Sequence, residues 1–206
     1  MSVPHFSTKQ RILDSAESLF ARHGFAGASL RQVTATANVN LAAVNYHFGS
    51  KENLINEVFR RRLDALNEER LKALQTVLAQ PKCVLEDVLA AFVRPALALS
   101  ADPHGGSGFV RVLARAYAEH NERLRKFLHD NYGHVLKQFV SAFAQQLPHL
   151  DKQELYWRLD IISGALTYAM ADFGVIKRPT GMSEQKHRDL AAEHLIKFAA
   201  AGLRVI

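Results

Sequence analysis

The sequence predicts an all-α fold of about nine helices. Apolar residues recur three and four positions apart along most of the chain, as on one face of an amphipathic helix. No stretch alternates β-branched and polar residues in the manner of a strand, and no internal repeat is present. Helices are expected, to within about 2–4 residues at each end, at 8–23, 29–36, 40–47, 50–80, 84–101, 106–119, 121–146, 151–173 and 183–203.

The second and third of these helices have clear end signals. Ser29 and Gln32 form a capping box, in which the serine accepts from an early backbone N–H and the glutamine reaches back. Asn38 accepts the positive φ of a tight helix-ending turn, and Asn40 can cap the helix that follows. Two short helices joined by so tight a turn predict a helix-turn-helix.

The first helix is predicted to support this unit. A second capping box, Ser7 with Gln10, begins the helix. Val33, Val44 and Phe48 are expected to face inward from the other two helices. The face of the first helix that holds them consists of Ile12, Leu13, Ala16, Leu19 and Phe20.

The outer surface of helix 40–47 is a candidate DNA-reading surface. Small residues with Asn and Tyr suit close approach to a groove floor, and the ring of Tyr46 can pack on sugar or a thymine methyl. Lys51 begins the next helix, where backbone N–H groups already favour a phosphate. Asn40 and His47 have structural alternatives, as a helix cap and as packing against the first helix. The predicted contacts to double-stranded DNA are Arg31, Asn40, Leu41, Ala42, Ala43, Asn45, Tyr46, His47 and Lys51.

This part of the chain resembles the TetR family of bacterial one-component transcriptional repressors. The matching residues are Gln10-Arg11-Ile12-Leu13, Phe20, Gly24-Phe25, Ser29-Leu30-Arg31, Ala37-Asn38-Val39, Tyr46-His47-Phe48, Ser50-Lys51 and Leu54. The sequence departs from the family at Asn45, where Tyr is usual, and at Ala43, where Thr is frequent. The resemblance implies a repressor that binds a palindromic operator as a homodimer and is released by a small apolar effector.

We predict two domains, a helix-turn-helix DNA-binding domain at 1–50 and a helical effector-binding and dimerisation domain at 51–206. Pro95 lies inside an apolar helical run and should kink it, leaving room alongside. An apolar cavity is expected between helices 84–101, 106–119, 121–146 and 151–173, with an arginine for an acidic head group. The predicted effector-binding residues are Phe92, Leu97, Phe109, Arg111, Leu113, Tyr117, Tyr132, Phe139, Trp157, Arg158 and Ile161.

Two further expectations concern this second domain. Its blocks Phe109-Val110-Arg111-Val112-Leu113, Arg125-Lys126-Phe127-Leu128 and Leu155-Tyr156-Trp157-Arg158 are similar to a TetR subgroup that responds to long-chain fatty acids or acyl-CoA. A different small hydrophobic effector, such as a drug, is the alternative. Helices 151–173 and 183–203 are expected to form the homodimer interface, unless their apolar face is buried within one protomer. That face consists of Ile161, Ile162, Ala165, Leu166, Ala169 and Met170.

Composition agrees with a polyanionic partner but does not require one. The 206 residues carry a formal charge of +6, and the sequence pI is about 9.6. Much of the excess lies outside the first fifty residues, in Arg60-Arg61-Arg62 and around Arg123 to Lys126. A single cysteine, Cys83, excludes an intrachain disulfide and favours a reducing cytoplasm. No apolar run approaches a membrane span of roughly 20 residues, and the amino terminus lacks a signal-peptide core.

The sequence lacks the motifs of an enzyme. No His-Glu-x-x-His, serine elbow or dinucleotide fingerprint is present, and His129 and His134 are spaced five apart rather than three or four. The glycine-rich stretch 102–108 lacks the Gly-Lys-Ser/Thr ending of a phosphate loop and is interpreted as a connector. We expect no metal and no cofactor. The remaining alternative to a repressor is a helical adaptor whose basic face contacts only proteins.

Overall fold

The structure, a computed structural model, describes residues 7–102, 105–171 and 178–205. These residues form nine α-helices and no strand, which confirms the predicted all-α fold. The helices are α1 (Thr8–Gly27), α2 (Leu30–Ala37), α3 (Leu41–Phe48), α4 (Lys51–Leu78), α5 (Leu85–Ser100), α6 (Gly106–Ala118), α7 (Glu122–Gln146), α8 (Lys152–Met170) and α9 (Glu184–Arg204).

The main departure from the predicted helix ends is in α1. The helix was expected to end near residue 23, but a further turn continues to Gly27 after a break at Gly24. Gly24 has φ 72° and ψ 176°, a conformation that glycine adopts without the steric penalty of a Cβ atom. At the other end of the chain, α8 ends at Met170 rather than 173, and residues 172–177 lie outside the described ranges.

Contacts divide the chain into two compact units. Unit 1 comprises residues 1–64 and 103–130, and unit 2 comprises residues 65–102 and 131–206. This division differs from the boundary predicted at residue 50, because the first half of α4 and all of α6 pack with the amino-terminal helices. Compact units are defined by packing rather than by activity, so the functional division into 1–50 and 51–206 stays a prediction.

Unit 1 is built around α1. The helix packs against α2, α3 and α6, and its buried face includes Ile12, Leu13, Ala16, Leu19 and Phe20, as predicted. Four phenylalanines form a chain of ring contacts through the core, with centroids 5.5 Å apart for Phe20 and Phe25, 6.2 Å for Phe25 and Phe59, and 5.4 Å for Phe59 and Phe109. Each buried Phe contributes about 1.5–3 kcal/mol of transfer free energy.

Unit 2 is held by α5, which packs against α8 and α9. Phe92 and Phe139 are buried with their ring centroids 5.2 Å apart. Arg204 of α9 donates to Glu86 of α5, and this hydrogen bond is the main cause that lowers the pKa of the Glu86 carboxyl. Among the helices in the described ranges, none combines the length and apolarity that crossing a membrane requires.

Candidate nucleic-acid interface

The turn between α2 and α3 has the geometry of a helix-turn-helix. Ser29 and Gln32 form the predicted capping box, with the Ser29 N–H donating to Gln32 Oε1 at 2.8 Å and the Gln32 N–H donating to Ser29 Oγ at 3.2 Å. Asn38 has φ 51° and ψ 54°, the left-handed conformation predicted for it. Asn40 Oδ1 accepts from the Ala43 N–H at 2.9 Å, which confirms Asn40 as the cap of α3.

Arg11 of α1 holds this turn from outside. Its guanidinium Nη2 donates to the carbonyl oxygens of Ala37 and Asn38 at 2.5 and 2.7 Å, and thus satisfies acceptors that the end of α2 leaves free. In the sequence Arg11 was recognised only as part of a family motif, and its hydrogen bonds to the turn were not predicted. The free carbonyls at a helix end predict some donor, but nothing in the sequence says which residue supplies it.

Two apolar anchors fix which side of α3 faces outward. Val44 is fully buried and Phe48 is 5% exposed, so the predicted inward face is confirmed. Tyr46, at 86% exposure, is the most exposed large hydrophobic side chain on the helix. The outward surface consists of Leu41, Ala42, Asn45, Tyr46 and His47, while Ala43 is half-buried.

The start of α4 lies directly beyond this surface. Ser50 Oγ accepts from the Asn53 N–H at 3.1 Å, and Asn53 Nδ2 donates to the Phe48 carbonyl at 3.0 Å, so the turn before α4 is held on both sides. Lys51 is the first residue of α4 and is half-buried. Arg31 is exposed in the first turn of α2. His47 is exposed, and its ring lies edge-on to Tyr46 with the centroids 5.1 Å apart.

A buried ion cluster joins α1 to α4. Glu17 is 4% exposed and Arg62 is 9% exposed. Arg62 donates to both Glu17 carboxylate oxygens, from Nη2 at 3.0 Å and from Nε at 3.2 Å, and Arg61 donates to Glu17 at 2.5 Å. Two of the three consecutive arginines therefore neutralise a buried carboxylate, and only part of the formal charge excess in this run is available to a partner.

The chain matches two family models and several known regulators. Residues 12–58 match the model of bacterial regulatory proteins of the tetR family, and residues 90–202 match a tetracyclin repressor-like C-terminal domain. The transcriptional repressor AcnR of Corynebacterium diphtheriae is 30% identical over 155 residues, which cover 66% of this chain and 80% of AcnR. The chain belongs to the TetR family.

Two further similarities are weaker, one because it covers a short segment and one because the sequence identity is low. The Bacillus subtilis regulator YttP is 40% identical over 57 residues, but the match spans only 26% of this chain and 28% of YttP. The crystal structure of AibR with isovaleryl coenzyme A and operator DNA shares the fold, with a TM-score of 0.64 and 17% identity over 93% of this chain and 97% of AibR.

TetR-family regulators are DNA-binding transcription factors rather than enzymes, in agreement with the missing catalytic motifs. Within the described ranges, no group of three or more His, Cys, Asp or Glu residues could hold a metal ion. Burial, and then the charge of Asp87, raise the pKa of the Cys83 thiol, and the reactive thiolate is thereby disfavoured.

The structure distributes the predicted effector-binding residues over both units of this TetR-family chain. Phe92, Leu97 and Phe139 are buried in unit 2, and Tyr132 is half-buried there. The residues on α6 belong to unit 1, where Phe109 is buried, Leu113 is half-buried, and Arg111 and Tyr117 are exposed. In unit 2, Trp157 and Ile161 are 62% and 65% exposed. The prediction that all of these residues line one cavity was drawn from periodicity. Periodicity identifies the apolar face of each helix but not the helices against which that face packs.

Arg158 is engaged in structural hydrogen bonds. Its Nη1 donates to the carbonyl oxygens of Gly202 and Val205 at 2.8 and 2.6 Å, and its Nε donates to Glu154 at 2.7 Å. These bonds satisfy acceptors at the end of α9. Contact between Arg158 and the head group of an effector would require some of them to break.

A large apolar groove lies beside Pro95, which is inside α5 as predicted. The groove has a volume of about 730 Å³. Small side chains leave this space open. The predicted effector-binding residues were mainly large and aromatic, and none of them lines this groove. The lining residues are Ala65, Leu66, Glu69, Lys72, Ala73, Thr76, Val77, Asp87, Ala90, Ala91, Arg94, Pro95, Ala98 and Leu99.

Proposed function

We propose that this protein is a ligand-responsive repressor that binds a palindromic operator as a homodimer. The observation that carries the proposal is the surface of α3, where an 86% exposed Tyr46 stands among small outward residues next to the helix start at Lys51. A tyrosine so exposed gains nothing from the core and suits contact with a DNA groove. An adaptor that binds only proteins has no need for this surface beside a phosphate-binding helix start.

The DNA contacts divide into two kinds. Arg31, His47 and Lys51 contact phosphates, and Lys51 gains from the unpaired N–H groups and dipole of the α4 amino terminus. Leu41, Ala42, Ala43, Asn45 and Tyr46 face the groove and carry the sequence preference. The side-chain oxygen of Asn40 is used by its own helix, which leaves only its amide nitrogen for DNA.

We propose dimerisation through an exposed apolar stripe on α8 and α9. Trp157, Ile161 and Tyr168 are 62%, 65% and 51% exposed and lie four to seven residues apart on α8, and Phe198 on α9 is 72% exposed. Apart from the chain neighbours and backbone of its own helix, no atom of the described residues lies within 4 Å of the position that a Cβ would take at Gly164, so a partner helix has room to approach closely. A two-fold dimer places two helix-turn-helix units on the two halves of one palindrome.

The face that we predicted for this interface was partly wrong. Ile162, Leu166 and Met170 are 6%, 3% and 7% exposed within the protomer, where α8 packs against α5 and α9. Residues 161 and 162 point in different directions because consecutive helical positions are about 100° apart, so one can be exposed while the other is buried. The exposed stripe is therefore displaced by one residue from the buried one.

The effector that we propose is a fatty acid or acyl-CoA bound in the groove beside Pro95. Half of the fourteen residues that line the groove are alanine or leucine, which suits an acyl chain. Lys72 and Arg94 are exposed residues of the lining and can pair with a carboxylate or phosphate, whereas the carboxylates of Glu69 and Asp87 in the same lining would repel such a group. AibR, which has the same fold, binds isovaleryl coenzyme A.

Gel retardation with the DNA upstream of its own gene tests the repressor proposal. A shifted complex that a palindromic competitor removes supports it, and failure to shift any neighbouring intergenic fragment favours the adaptor. Acyl-CoAs of graded chain length, added to the complex, should then release the DNA. Ala98→Trp, which fills the groove, should abolish release without weakening operator binding, and Ala98→Ser should release normally.

A further inference from the structure

At the break in α1, backbone groups that lose their helical partners are hydrogen-bonded by side chains from the end of α6 and the residue after it. In an unbroken helix the Ala26 N–H would donate to the Arg22 carbonyl. Here the N–H groups of Phe25 and Ala26 donate instead to the carboxylate of Glu119, directly after α6, at 3.0 and 3.3 Å. The Arg22 carbonyl accepts from Arg115 Nη2 at 3.2 Å. Arg115 of α6 and Glu119, the residue that caps its end, thus replace partners on both sides of the break.

The close approach of Glu119 depends on the glycine at the break. A Cβ at Gly24 would lie 2.1 Å from Glu119 Oε1, and the φ of +72° already disfavours other residues. Phe25 is 4% exposed and its ring lies between those of Phe20 and Phe59. Buried packing and the carboxylate together fix the last turn of α1.

That turn determines where the helix-turn-helix begins. Only Gly27 and Ala28 separate Ala26 from Ser29, the cap of α2, and Arg31 lies in the first turn of that helix. Because so few residues separate the two, the position of the last turn of α1 constrains where α2 can start.

We infer that Glu119, although about 70 residues beyond α3 in sequence, is a positioning residue for operator binding. Its carboxylate is an external cap on the last turn of α1 and holds α2 at the angle that DNA contact requires. The inference rests on the proposed DNA-binding function for its affinity readout. The cap itself can be measured without DNA.

Hydrogen exchange on the full-length protein tests the cap. Glu119→Ala should speed exchange of the Phe25 and Ala26 amides by about fivefold, the usual effect of losing a helix cap. Glu119→Gln keeps one acceptor oxygen and should restore most of the protection. Glu122→Ala, which removes an exposed carboxylate from the first turn of α7, is the matched control and should leave both amides unchanged. Unchanged exchange in Glu119→Ala would overturn the cap.

Operator affinity tests positioning. Glu119→Ala should weaken operator binding about fivefold relative to random DNA, with Glu119→Gln close to the wild type. Equal losses on both DNAs, or the same loss in Glu122→Ala, would contradict a positioning role. Absence of operator binding by the wild type would instead refute the repressor proposal, and the exchange result would still decide whether Glu119 caps α1.

Discussion

Tyr46 is the residue at which the proposed DNA contact can be tested separately from folding. Because its side chain is 86% exposed, Tyr46→Ala should leave the thermal unfolding midpoint unchanged. The same change should weaken operator binding by about 1–3 kcal/mol and affect random DNA much less. Tyr46→Phe separates the ring from the hydroxyl and should keep the groove contact. Fluorescence anisotropy with both DNAs measures the difference, and an equal loss on both would assign Tyr46 to backbone contact alone.

Glu17 is the opposite case, a charge that serves the fold. Glu17→Ala leaves Arg61 and Arg62 without their shared carboxylate, and removal of one partner from a buried pair costs about 3–5 kcal/mol. Urea unfolding of the variant should show this loss of stability. Asp14→Ala, at a carboxylate that also pairs with Arg61 but is 55% exposed, is the control and should cost less than about 1 kcal/mol. A small effect at Glu17 would mean that the arginines reach solvent when the pair is broken.

Helix ends could be predicted from sequence because their causes are local. The caps at Ser29 and Asn40 and the left-handed Asn38 depend on residues within three positions, and all three predictions were confirmed. Glu119 could not be found in this way, because it lies 94 residues from the Phe25 amide that it caps. The spacing of apolar residues likewise predicted an apolar face for α8. Which half of that face is buried in the protomer depends on the packing of α8 against α5 and α9.

The exposed stripe on α8 and α9 leads to a prediction about assembly. Ile161→Glu and Phe198→Glu each place a charge on a surface that is apolar and solvent-exposed in the protomer, so folding should be preserved while dimerisation is lost. Light scattering at micromolar concentration should give the mass of one chain for these variants and of two for the wild type. Leu78→Glu, at a 45% exposed leucine near the end of α4, is the matched control and should remain dimeric. A monomeric wild type would exclude the dimer.

In the whole molecule, the proposed DNA-binding surface, dimer interface and effector groove are linked through their binding free energies. An effector that weakens operator binding must itself be bound less tightly when DNA is present, by the same coupling free energy of about 1–3 kcal/mol. The family and the all-α architecture could be predicted from sequence because their motifs lie in one continuous segment. The groove could not, since its small lining residues come from two helices whose spacing is a property of the packed unit.

The salt dependence of operator binding tests the central claim most directly. In the proposed complex Lys51 contacts one phosphate in each protomer, and each phosphate neutralised contributes about 0.9 to the slope of log K against log salt concentration. Anisotropy titrations of the upstream DNA should therefore give a slope that is about two units shallower for the Lys51→Ala dimer than for the wild type. An unchanged slope, or no binding by the wild type at low salt, would contradict the assignment of α3 and the start of α4 as the DNA-binding surface.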